Sequence, residues 1–359
     1  MRPADRFLRF MTGQAVDRPP LFEDGPWDVT LARWRTEGLP PDCSRAPYLD
    51  ECDPLERTQT DLWMLPRYEE RILVEDEHSI TEITDRGIIQ RVLKPRGSGM
   101  PLHLRYPVQG RADWDALKPR FLPDSGDRLG ADWKQRREAW LATGATVIFQ
   151  GPRSPSLFGF VRELMGPEKT LYAFYDDPAL VHDMMETSTE LTIALLHRVC
   201  DSFPLKALWF WEDMAYKAGP LISPKLFRQF MSPRYRRICD VARSRGVEII
   251  MVDSDGDVNQ LIPLWLDAGL TGVYPLEVQA GMDVARVMRQ YPGIMLRGGC
   301  DKRALAQGRR EIDAELRRTI PLVEKGRYLH ALDHAVPPDV PWANMAYYWD
   351  QKKRMLGVG

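Results

Sequence analysis

The chain has 359 residues, 44% of them apolar and 28% charged, the composition of an ordinary globular protein. Its 49 Lys and Arg nearly balance 51 Asp and Glu, and a net charge of -2 gives no general electrostatic grip on nucleic acid or an anionic membrane. Five scattered cysteines without CxxC spacing, the lack of an apolar run near ~20 residues and the absence of a signal-like stretch behind Met1-Arg2-Pro3 exclude zinc-ribbon, disulfide-stapled and membrane classes, and predict a cytoplasmic protein.

Arg2–Met11 predicts a short helix with Phe7, Leu8, Phe10 and Met11 on one side, broken by Asp17-Arg18-Pro19-Pro20. Leu21-Phe22 predicts a short strand that runs into the acidic loop Glu23-Asp24-Gly25, and Leu62–Leu65 predicts a second. Three β-prone runs between residues 71 and 93, separated by charged turns and by Asp85-Arg86-Gly87, predict an antiparallel hairpin or meander.

From Thr146 the pattern changes to apolar runs alternating with amphipathic segments. Strands are expected at Val147–Phe149, Ala207–Trp211, Val247–Val252, Gly272–Tyr274, Ile294–Leu296 and Tyr328–Leu332. Asp177-Pro178 and Ser223-Pro224 each combine an N-cap residue with proline at the first helical position. Pro263 inside the Val258–Leu266 segment predicts a kink or a short first turn. Leu305, Ile312, Leu316 and Ile320 mark the helix before the last strand.

Strands alternating with helices imply βαβ units and a parallel sheet. A count of eight favours a (β/α)8 TIM barrel, with an N-terminal extension and a β-hairpin insertion, over an open doubly wound sheet. No GxGxxG follows the first strand and no Walker A motif is present. No linker interrupts the chain, so residues 1–359 are expected to form a single domain. Residues 1–145 would supply the elaboration and first strands, and residues 146–359 the regular βα units.

The site of such a barrel lies at the C-terminal ends of its strands. Those ends carry Glu23-Asp24, Gly151-Pro152-Arg153, Glu212-Asp213, Asp253-Ser254-Asp255-Gly256, Glu277, Gly298-Gly299-Cys300-Asp301 and Asp333-His334. A mouth lined by acids must hold a cation, share protons or bind a polar ligand. Asp257, Asp283 and Asp301 fit helix N-caps. Asp253 and Asp255, two apart on a strand leaving the core, are placed to project together, although Gly256 and Leu264 rule out a calcium-loop spacing. His334 is the foremost acid/base or ligand candidate, the alternative being a structural histidine; His330 should point the other way. Gly298-Gly299 would let backbone N–H groups approach an anion or would simply form a tight turn, and isolated Cys300 suits a small buried apolar role. Trp27, Trp209, Trp211, Tyr216 and Tyr274 are candidate pocket walls. The Arg pairs lie in helical stretches and read as solvated outer faces, which leaves the acids concentrated at the mouth.

Taken together, Glu212-Asp213-Met214-Ala215-Tyr216, Gly219-Pro220-Leu221-Ile222-Ser223-Pro224, Asp253-Ser254-Asp255-Gly256, Glu277–Asp283, Gly298–Leu305 and Asp333-His334-Ala335-Val336-Pro337-Pro338-Asp339-Val340 resemble the uroporphyrinogen decarboxylase superfamily. The opening Val16-Asp17-Arg18-Pro19-Pro20 fits as well. The resemblance implies a (β/α)8 barrel and a choice between decarboxylases and zinc-using, cobalamin-dependent methyltransferases. Decarboxylases carry an Arg-rich loop after the first strand, where this chain has Glu23-Asp24-Gly25-Pro26-Trp27, and only His334 aligns with one of their functional positions. Exchanging arginine for acid reverses the electrostatics toward a polycarboxylate, so decarboxylation of uroporphyrinogen itself is not expected. The methyltransferase branch has His-x-Cys where this chain has Asp253-x-Asp255, so thiolate ligation of zinc is lost and oxygen–imidazole ligation is what remains.

The leading expectation is therefore a methyltransferase-like enzyme that demethylates a small substrate, with a corrinoid protein as acceptor and a homodimer as a candidate assembly. Its catalytic candidates are His334, Asp253, Asp255, Glu212 and Asp213. Glu23, Trp27, Trp211, Tyr216, Glu277, Gly298 and Gly299 are the substrate-binding candidates, and Asp253, Asp255 and His334 the candidate ligands of a divalent metal such as zinc. The alternatives are a decarboxylase or lyase acting on another substrate, and a non-catalytic ligand-binding barrel.

Overall fold

Short runs of branched and aromatic residues build the central sheet in a computed structural model that describes residues 1–40, 43–96 and 100–358. In chain order the strands are β1 (Leu55–Arg57), β2 (Arg71–Glu75), β3 (Ser79–Ile83), β4 (Ile89–Leu93), β5 (Leu102–Arg105), β6 (Thr146–Phe149) and β7 (Ala207–Trp211). They continue with β8 (Ala215–Tyr216), β9 (Gly219–Pro220), β10 (Ile249–Asp253), β11 (Gly272–Tyr274), β12 (Met295–Cys300) and β13 (Tyr328–Leu332). Seven of them form one curled parallel sheet in the order β1-β6-β7-β10-β11-β12-β13, so every neighbour after β1 follows in sequence. That order requires a crossover after each strand, and helices such as Pro178–Ser202, Ser232–Ser244 and Arg309–Thr319 supply it. Strands β6, β12 and β13 are buried along their whole length, as expected of a sheet covered on both faces.

Local signals set several boundaries. The Asp177 side chain accepts from Leu180 N and Ser223 from Leu226 N, with proline next in each case. Asp283 and Asp301 likewise cap their helices, whereas Asp257 heads a turn and accepts from Asn259 N. Pro263 lies in the first turn of the helix Ile262–Asp267, which starts later than the apolar pattern suggests because proline tolerates only that position.

Two expected strands are corrected. Leu62–Leu65 is irregular: its run is apolar because Trp63 packs edge-on against Phe121 and Phe160, and the neighbouring strand is Leu55–Arg57 instead. Leu21–Phe22 is also not a strand. The segment crosses the opening between β13 and β1 through isolated bonds, from Asp53 N to Leu21 O and from Val336 N to Gly25 O, with a single bridge at Pro26. Prolines 19, 20 and 26 cannot donate to a ladder, so none forms. Among the described residues the sheet is thus seven-stranded and is not closed by an eighth ladder.

The expected meander is present and larger than its sequence pattern indicates: β2–β5 form a four-stranded antiparallel sheet. At its β3–β4 turn, Arg86 pairs with Glu163 at 2.6 Å, tying the meander to the helix Phe158–Met165 beside the strand ends. One apolar core runs from Phe7 and Trp63 in the N-terminal third to Leu296 and Leu329 in the sheet. Among the described residues no helix is long and apolar enough to cross a membrane.

Candidate functional site

The C-terminal ends of the strands enclose a cavity of about 300 Å³ lined by Asp213, Asp253, Asp255, Arg297 and His334, among others. A second cavity of about 580 Å³ shares Asp213 and Asp255 and adds Tyr216 and Glu277. Parallel register creates the first: Asp253, the last residue of β10, stands level with Trp211 of β7 and Tyr274 of β11. Beyond β10 the chain turns at Gly256 (φ +84°), where a Cβ would lie 2.8 Å from the backbone of Ala215, and Asp257 N donates to Tyr216 O. Only glycine permits this approach, which holds the Asp255 loop against the β8–β9 hairpin.

His334 Nε2 lies 3.6 Å from Asp255 Oδ2, and the ion-pair contact with Asp255 raises the imidazole pKa to about 9. Its Nδ1 is buried with no partner among the described residues, and the Trp27 ring stands edge-on to the imidazole at 6.0 Å. Burial, reinforced by Asp213 and Asp255, pushes the Asp253 carboxyl well above the usual range, with Arg297 opposing. Burial and Asp255 raise Asp213 in the same way, against the pull of Arg162. Asp213 also has a left-handed backbone (φ +46°), a conformation that non-glycine residues adopt at a cost. The site therefore contains an imidazolium and a buried carboxyl biased toward its protonated form, both proton donors.

Other candidates lie elsewhere. Glu212 is fully buried and accepts from Leu157 N (2.8 Å), Gly159 N (3.0 Å), Ser156 Oγ (3.3 Å) and Tyr235 OH (2.5 Å), so it clamps the β6 loop. Glu23 points away from the cleft into the interior, where it pairs with Lys352 at 2.8 Å and accepts from Tyr348 OH and Leu332 N. Gly298 (φ +93°) and Gly299 (φ +71°) do not cradle an anion. A Cβ on the first would lie 2.0 Å from Pro275 O, one on the second 2.2 Å from Val284, and the Gly299 N–H is spent on Pro275 O. Cys300 is buried, as expected of a small apolar group. Asp333 accepts from Val278 N, Lys302 N and Lys302 Nζ, which fixes the β13 end and so the backbone of His334. Glu277 accepts from Gly256 N at 3.0 Å and forms part of the second cavity wall with exposed Tyr216. Trp211 lines the first cavity beneath the guanidinium groups of Arg153 and Arg162.

Asp24 lines the first cavity beside its interior-facing neighbour Glu23. The expectation that acids dominate the mouth is corrected in part, because Arg57 and Arg297 join Arg153 in lining the same cavity. Arg297 is 4% exposed, ion-paired to Asp24, and stacked with Phe22 (4.6 Å), Tyr274 (4.6 Å) and Trp209 (5.2 Å). Its signal in the sequence is a lone charge inside the strand Met295-Leu296-Arg297-Gly298; nothing comparable marks Arg57.

The structure does not gather the proposed zinc donors into a ligand set. Among the described residues no three His, Cys, Asp or Glu side chains are grouped to hold one.

Residues 156–355 match the uroporphyrinogen decarboxylase (URO-D) family. The uroporphyrinogen decarboxylase of Nocardia farcinica is 28% identical over 243 residues, which are 65% of this chain and 65% of that protein's length. Among solved structures, a methyltransferase from Methanosarcina mazei shares the fold with a TM-score of 0.59 at 14% identity, over 99% of each chain. The matched segment covers more than half of the chain and contains β7, β10–β13 and most of the residues that line the cavity, so the chain belongs to the uroporphyrinogen decarboxylase family.

Proposed function

We propose that the protein is a methyl-transferring enzyme of this family, acting by proton donation on a small methylated substrate. The observation that carries the reading is the His334–Asp255 pair beside a cavity of about 300 Å³, a size suited to a small molecule. The Methanosarcina mazei methyltransferase, alike in fold over the whole chain, supports it. The same proposal treats the segment around Leu21–Gly25 as the eighth stave of a (β/α)8 barrel, in keeping with its bonds to Asp53 and Val336.

In the proposed step the bond between the methyl carbon and its heteroatom breaks, and its electron pair stays on the heteroatom. Asp255 keeps the imidazole charged, and His334 lines the cavity, so the imidazolium is the donor that neutralises the leaving heteroatom. Asp253, held toward its neutral form, is a second donor in the same cavity. A corrinoid carried by a partner protein would supply the nucleophile that takes the methyl group. Protonation of the leaving group takes over the polarising role that a metal would otherwise have.

A second reading, decarboxylation of a small carboxylate, is favoured by Arg57, Arg153 and Arg297 in the cavity wall. One screen separates the two. Methoxylated and N-methylated compounds are incubated with protein and cob(I)alamin while methylcobalamin absorbance and carbon dioxide are followed in parallel. Methylcobalamin formation that falls about a hundredfold or more in His334→Ala supports methyl transfer. Carbon dioxide release without methyl transfer replaces it with the second reading.

A further inference from the structure

We infer that Arg297 anchors a carboxylate group of the substrate, so that the cavity takes a small methylated carboxylic acid. The inference rests on the preceding reading for the methyl group and adds the chemical class of the rest of the molecule.

The guanidinium is in an unusual position for a structural ion pair. It sits within the parallel sheet, 4% exposed, yet forms part of the cavity wall. Asp24 takes Nη2, while Nε is buried with no partner among the described residues. A buried guanidinium with an unused donor is costly unless a ligand or water supplies oxygen atoms. Phe22, Tyr274 and Trp209 hold the guanidinium in place on three sides, so little side-chain freedom is lost when an anion binds.

Charge agrees with the geometry. Arg57, Arg153, Arg297 and His334 bring four cationic groups to a cavity whose carboxyls are Asp24, Asp213, Asp253 and Asp255. Asp24 is already paired with Arg297, Asp255 with His334 and Asp213 with Arg162, so most of these carboxyls are matched by cations. An ammonium group at the same place would face the guanidinium directly.

Binding is measured calorimetrically on the whole protein with methoxyacetate, 4-methoxybenzoate, their primary amides and inorganic phosphate, in the absence of any methyl acceptor. We expect at least one carboxylate to bind about tenfold or more tightly than its amide and than phosphate. Arg297→Met should erase that preference. Asp24→Asn, which removes the competing carboxylate, should tighten carboxylate binding, whereas a purely structural Asp24–Arg297 pair predicts weaker binding. Equal binding of acids and amides, no binding by the folded protein, or tighter binding of phosphate overturns the inference. Carboxylate binding without any methyl transfer would leave the anchor standing and overturn only the proposed reaction.

Discussion

His334 Nε2 stands 3.6 Å from Asp255 Oδ2, across the cavity mouth from β13 to the loop after β10, with the two side chains 32% and 37% exposed. The nearby carboxylate of Asp255 outweighs the burial that would lower the imidazole, and its pKa rises to about 9. Activity that needs the imidazolium should therefore hold through neutral pH and fall as pH rises through about 9. The pair's contribution to stability has the same sign: it is complete below ~6.5, the unperturbed histidine value, and is lost as pH rises through the folded value. Asp255→Asn should move the alkaline limb of kcat/KM toward neutrality, and an NMR titration of His334 should follow it. An unmoved limb would mean that another group supplies the proton.

Glu212 should matter for stability before it matters for turnover. Its carboxyl satisfies two backbone N–H groups and two hydroxyls in a fully buried position. Glu212→Ala orphans all four and should cost about 2–4 kcal/mol in denaturant unfolding, while Glu212→Gln recovers part of that loss. A stably folded Glu212→Ala protein devoid of activity would instead put Glu212 in the chemistry.

The Lys352–Glu23 pair is 1% and 0% exposed, with Lys352 also donating to Phe22 O and His330 O. Lys352→Met leaves a buried carboxylate without its cation and should cost about 3–5 kcal/mol. Adding Glu23→Gln should restore much of it, because the amide removes the unpaired charge, its oxygen keeps the bond from Leu332 N and its NH2 can donate to the Tyr348 hydroxyl oxygen. Additive losses in a double-mutant cycle would contradict this coupling.

Gly298→Ala should lower the melting temperature, since the new methyl group would meet Pro275 O at 2.0 Å with a backbone at φ +93°. The strain is about 2 kcal/mol or more, and it should appear in unfolding experiments whether or not phosphate is present. Rescue by phosphate would restore the anion-cradle reading of this pair.

Chelation offers a test of the donor geometry. Because no three ligating side chains are grouped among the described residues, dialysis against EDTA should leave the melting temperature and ligand affinity unchanged. A resident metal would stabilise the folded state, so stripping one would lower that temperature.

Much of the architecture was legible before any coordinates. Six strands from Val147 to Leu332 and the caps Asp177, Ser223, Asp283 and Asp301 follow from local rules: apolar period, proline placement and a side-chain oxygen at the helix start. The barrel expectation put the candidate residues at the strand ends, and Asp253, Asp255 and His334 line one cavity there.

The roles of individual acids were a different matter. Glu23 and Asp24 are adjacent, yet one is buried against Lys352 and the other meets Arg297 in the cavity. Nothing local distinguishes them, because the direction of a side chain in an irregular segment depends on distant partners. Arg297 reads in sequence as a lone charge in a strand, and only the folded sheet surrounds it with Phe22, Trp209, Tyr274 and Asp24. Sequence alone thus determined the elements and the end of the sheet that bears the site, both consequences of short-range periodicity. The tertiary structure decided which charges face the cavity and in what balance, since burial and pairing are set by residues far apart in the chain.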